Sequence, residues 1–155
     1  MRGWPNTAEG GVALLILTTL LARMLLAGWT GLGVDESYMA AAARTLRLGY
    51  FDHPPIAWWL AWAAQRLGGL ESDLLVRLPF ILLFAASTWL MFRLTADLYG
   101  ACAGLWAAAL LNSTPVLGVT AGTWVLPDGP LITALLGGCL CLVRALPRER
   151  GAWRW

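Results

Sequence analysis

The sequence contains no lysine; its eleven basic residues are all arginine. Charged residues of both signs fill 13% of the 155 positions, about half of the roughly 25% usual in a soluble domain. There is one histidine, and there are three cysteines. These shortages exclude whole classes of protein. A net charge of +2 is too small for a nucleic-acid surface. Cys102, Cys139 and Cys141 all fall in apolar runs, and a Cys-x-Cys pair on a helix points its thiols to different sides, so they read as small hydrophobes rather than metal ligands or a disulfide. What is abundant is apolar: 59% hydrophobic residues, ten tryptophans and a mean hydropathy of +0.65 place the chain in the membrane class. Arginine in place of lysine, with much Ala, Gly, Leu and Trp, matches the coding bias of a GC-rich bacterium.

The apolar runs predict an all-α membrane protein of about four transmembrane helices, over 11–29, 74–94, 101–119 and 128–143. The first run competes with a cleaved signal peptide, but it is longer than the usual signal core and contains Arg23, which favours a retained span. An arginine there is costly, and is expected to face protein or reach toward an interface. The third run is expected to fray through Asn112, Ser113, Thr114 and Pro115. A turn is expected over Asp97-Leu98-Tyr99-Gly100. The tail over 144–155 carries Arg144, Arg148, Arg150 and Arg154, while 112–127 carries no arginine. The positive-inside rule therefore puts both termini in the cytoplasm, and the 30–73 loop and the 112–127 segment outside. Arg44, Arg47 and Arg66 in the outer loop are a mild exception.

That outer loop reads as two short interfacial helices. One is expected over Met39–Leu48, or from Glu36 if Asp35 is its N-cap. The other runs over Ile56–Leu67, opened by Pro54-Pro55, rich in tryptophan and ended by Gly68-Gly69. The ionisable groups gather here. Asp35-Glu36 reads either as a helix start favoured by the dipole, or as a general base with an orienting neighbour. Tyr38 shares a helix face with Asp35. Asp52 reads as a cap of the proline-started helix, and His53 as a solvated or functional imidazole. Asp128 reads as the N-cap of the fourth span, where a helix N-terminus also suits a phosphate. Asp35, Glu36, Asp52 and Asp128 could all converge on one outer cavity. The alternative is a non-catalytic multi-pass membrane protein whose loop carboxylates are only helix caps.

Asp35-Glu36-Ser37-Tyr38, Gly49-Tyr50-Phe51-Asp52-His53-Pro54-Pro55, Val76-Arg77-Leu78-Pro79, Thr114-Pro115 and Pro127-Asp128-Gly129-Pro130 follow one another in a recognisable order. In this order the chain resembles the N-terminal part of the C-type integral-membrane glycosyltransferases. That branch includes the protein O-mannosyltransferases and the lipid A aminoarabinose transferase. The resemblance implies an inverting transfer of sugar from a polyprenyl-phosphate donor to a lipid, glycan or protein acceptor at the extracytoplasmic face of a bacterial inner membrane. It implies Asp35 as base with Glu36 in support, Tyr38, His53 and Asp128 near substrate or phosphate, and a divalent metal ion held by Asp52 and Asp128. His53 stands where lysine is common in that group. Members are several times longer, so the chain is expected to be a truncated or fragmentary copy. Sugar, acceptor and oligomeric state stay open.

Overall fold

The computed structural model describes residues 4–68 and 72–146, and side chains from Thr7 onward. All regular structure among them is helical: α1 (Trp4–Trp29), α2 (Val34–Ala42), α3 (Ile56–Gly68), α4 (Asp73–Tyr99), α5 (Ala101–Ser113) and α6 (Asp128–Ala145), with a π-helical turn over Leu117–Ala121. Three helical stretches are long and apolar enough to cross a membrane, Thr7–Trp29, Asp73–Tyr99 and Asp128–Ala145. The chain is an all-α membrane protein.

The third apolar run differs from expectation. It is helical only to Ser113, about 20 Å at 1.5 Å per residue, short of the roughly 30 Å hydrocarbon thickness. Pro115 has no N–H to continue the ladder and forces Thr114 out of the helical region, to ψ 112°. Helix then resumes and widens into the π turn. The expected turn over 97–100 is also tighter, because α4 runs on through Tyr99. Gly100 alone reverses the chain at φ +94°, a left-handed conformation that costs glycine little.

α4 is the central helix and packs against α1, α3, α5 and α6. Between helices in lipid the hydrophobic effect contributes little, and close packing of small residues takes over. Gly104 shows how close: a Cβ there would lie 2.7 Å from the Phe92 carbonyl oxygen. Ala8, Val12, Phe92 and Ala108 close that end of the bundle. Polar side chains bridge further along, Ser87 Oγ to Thr133 Oγ1 at 2.8 Å between α4 and α6, and Asn112 Nδ2 donating to Thr88 Oγ1 at 3.0 Å between α5 and α4. At the opposite end Met39, Ala43, Trp58, Ala61, Val76, Phe80 and Val125 form a core that seats α2 and α3 on α4.

Cys102, Cys139 and Cys141 are unpaired and exposed on the outer faces of α5 and α6, so they are not interior packing residues. Arg144 extends to Asp97, Nε to Oδ2 2.9 Å, at the end of the bundle away from α2. Gly69 and the tail residues Arg148, Arg150 and Arg154 lie outside the described residues.

Candidate active site

α2 starts earlier than the sequence suggests and is shorter. Its N-cap is Gly33, not Asp35, and the Gly33 N–H donates to Glu36 Oε2 at 2.9 Å, so Glu36 reaches back as a capping-box residue. The helix ends at Ala42 instead of Leu48, and aromatic side chains bond the backbone beyond it. The Tyr50 hydroxyl donates to the Thr45 carbonyl at 2.9 Å, and Trp59 Nε1 donates to the Arg47 carbonyl at 2.8 Å.

This start puts two adjacent carboxylates in opposite environments. Glu36 is fully buried, and Arg77 Nε and Nη2 fork onto its two oxygens at 2.7 and 2.5 Å. Its Oε1 also accepts the Val125 N–H at 3.2 Å. Arg77 spends its remaining donors on the end of α1, reaching the carbonyls of Ala27 (3.1 Å), Thr30 (2.8 Å) and Gly31 (2.9 Å). One ion pair thus joins α1, α2, α4 and the segment before α6. Asp35 points the other way, exposed, with no hydrogen bond or ion pair to the described residues.

The other predicted residues lie around this node. The Tyr38 hydroxyl donates to Asp52 Oδ2, tying α2 to the loop before α3. That hydrogen bond pushes the exposed phenol above its ordinary pKa, helped by desolvation and the negative charge of Asp52. So Asp52 is engaged with Tyr38 rather than capping α3. His53 lies against buried Trp58, ring centroids 6.1 Å apart, and Tyr50 stacks on the same indole at 4.3 Å. Tyr38, Thr45, Arg47, Tyr50 and Phe51 line a recess of about 310 Å³ here. Asp128 is the first residue of α6 and not its N-cap, which is Pro127 with no side-chain capping bond. Its charge still sits at a helix N-terminus. The Val125–Glu36 contact brings the segment leading into Asp128 to the same end of the bundle as α2.

Among the described residues no three His, Cys, Asp or Glu side chains group closely enough to hold a metal ion. Among the described residues, then, protein side chains alone do not enclose a divalent ion. A divalent ion bound by one or two carboxylates would have to complete its shell with phosphate oxygens and water.

Arg77 is the residue that sequence reasoning missed as part of the site. Its advance signals were its place in the Val76-Arg77-Leu78-Pro79 segment of the resemblance and its position at the start of a long apolar run.

A polytopic helical membrane protein with a buried ion pair and several loop carboxylates at one end of the bundle is the class that these observations define. Residues 52–155 match the family described as dolichyl-phosphate-mannose-protein mannosyltransferase, and the chain belongs to that family of membrane glycosyltransferases. Asp52, His53, Arg77 and Asp128 fall within the matched stretch, and Asp35, Glu36 and Tyr38 precede it. No curated protein and no solved structure matches the chain.

Proposed function

We propose that the chain takes part in an inverting sugar transfer from a polyprenyl-phosphate donor, with Asp35 as the general base. The observation that carries this reading is the asymmetry of the acidic pair. Glu36 is buried and saturated, while Asp35, one residue away on a helix start that Glu36 fixes, keeps its carboxylate exposed. A base needs a free lone pair within reach of the acceptor proton, and a position that does not wander. In the reaction the acceptor hydroxyl gives its proton to Asp35 as its oxygen bonds to the anomeric carbon. The bond from that carbon to the phosphate oxygen breaks on the opposite face, and polyprenyl phosphate leaves.

Glu36 and Arg77 are positioning residues in this scheme. The N-terminus of α6 faces developing phosphate charge with its unpaired N–H groups. Tyr38 fixes Asp52, and His53 in the same loop is a candidate phosphate contact. A divalent ion held by Asp52 and Asp128 would supply charge neutralisation at the leaving phosphate. The alternative reading, carboxylates serving only as caps, has less support, because Gly33 and Pro127 occupy the N-cap positions expected of Asp35 and Asp128. Arg144 in the last turn of α6, with the arginines that follow it in sequence, supports a cytoplasmic C-terminus and an outward-facing site in a bacterial inner membrane.

The test is Asp35→Asn, assayed for sugar transfer from a polyprenyl-phosphate donor in membranes. A drop of roughly 10²–10⁴-fold, the usual contribution of general base catalysis, is expected with insertion and thermal stability unchanged. Transfer at the wild-type rate would remove Asp35 from the mechanism.

A further inference from the structure

Arg23 carries a charge that no carboxylate among the described residues neutralises. It lies on α1 six residues before Trp29, about 9 Å along the axis from the end of the helix. Its guanidinium sits 4.5 Å from the centroid of the Phe84 ring. Nη1 donates to Asn112 Oδ1 at 3.2 Å and to the Thr19 carbonyl at 3.4 Å, and Nε donates to the Gly118 carbonyl at 3.4 Å. All three acceptors are neutral, and two lie at the long limit for a hydrogen bond. Nη2, with two N–H donors, has no hydrogen-bond partner among the described residues.

The surroundings are shaped to this side chain. Thr19, Leu26, Asn112, Pro115, Gly118 and Val119 help to line a recess of about 290 Å³ around it, and no carboxylate lines that recess. The backbone gives way to the guanidinium: a Cβ on Gly122 would lie 2.9 Å from Nε, and one on Gly118 3.5 Å from Nη2. Gly118 sits in the π turn that follows the break at Thr114. Leu26 and Val119 are exposed on the bundle surface, so the recess opens toward the bilayer. It shares no lining residue with the recess beside Tyr38.

An always-charged guanidinium with spare donors, one and a half turns below the end of a span, complements a phosphate at headgroup depth. We propose that this recess binds the phosphate of an anionic bilayer lipid, with Nη2 of Arg23 as the principal donor and the acyl chains lying along Leu26 and Val119. This site is independent of the sugar-transfer reading.

Native mass spectrometry of the full chain, released from nanodiscs of phosphatidylglycerol or of phosphatidylcholine, tests the proposal. The wild type is expected to retain phosphatidylglycerol over phosphatidylcholine, and millimolar inorganic phosphate is expected not to displace it. Arg23→Gln is expected to cut retention about tenfold or more, the scale of lost hydrogen bonds to a charged group. Val119→Trp, at an exposed position that cannot unfold a core, fills the mouth with Arg23 intact and is expected to do the same. Equal retention of the two lipids overturns the proposal, as does displacement by inorganic phosphate, which would mark a site for the free ion. Wild-type retention by Val119→Trp overturns it even if Arg23→Gln fails to fold.

Discussion

Arg77 and Arg23 both lie within long apolar helices, and the protein treats them differently. Arg77 is buried, forks onto a carboxylate and satisfies its other donors on three backbone carbonyls. Arg23 is half-buried, leans on an aromatic ring and touches only neutral oxygens. An arginine costs about 2.5–3.5 kcal/mol at the centre of a span on insertion scales and less near its ends, where both of these lie, so each is compensated or used. Arg77 is compensated, and the compensation fixes four parts of the chain relative to one another. Arg23 is compensated only in part, which leaves it available to something outside the chain.

The comparison breaks most sharply at Glu36. Glu36→Ala leaves Arg77 buried without its counter-charge, and should destabilise the protein by about 3–5 kcal/mol, seen as early thermal unfolding in detergent. Replacing Glu36 and Arg77 together with Gln and Met should recover much of that loss, because a buried pair gains little over apolar side chains of similar volume. A double variant as unstable as the single one would show that the backbone contacts of Arg77, and not the pair, hold the node. Arg23→Met should cost far less, about 0.5–1 kcal/mol for the lost cation–π contact, measured by the same unfolding. Smallest is the link at the surface. The Tyr38 phenol is raised, so its hydrogen bond to Asp52 is complete below the ordinary tyrosine range, near pH 10. It should be lost only as pH rises through the raised value. Phenolate absorbance, corrected with Tyr38→Phe, should show Tyr38 ionising at lower pH once Asp52→Asn removes the charge.

The same contrast marks what the sequence can and cannot reveal. Long apolar runs made α1, α4 and α6 legible to within a few residues at most of their ends, and Pro115 foretold the break after α5. The exact start of α2 was readable in principle, since glycine three residues before Glu36 is a capping pattern. The aspartate between them drew the cap assignment to itself. The end of α2 was not readable, because the segment after it is held by Tyr50 and Trp59, which come from outside the helix. Nor was the division of labour within Asp35-Glu36. Which carboxylate turns inward depends on Arg77, 41 positions later, and on a backbone N–H at Val125. Local sequence gave both acids the same status, and only packing separates them.

The position of Glu36 has a practical consequence for genetics. With Asp35 as the proposed base, an alanine scan across the acidic pair would return two impaired alleles, and the buried one would read as catalytic. Its loss would also release the strand of chain leading to Asp128, so defects at two distant acidic sites would appear epistatic although neither side chain touches the other through substrate. Expression level and melting temperature, recorded beside activity, tell an allele that has lost a reagent from one that has lost its scaffold.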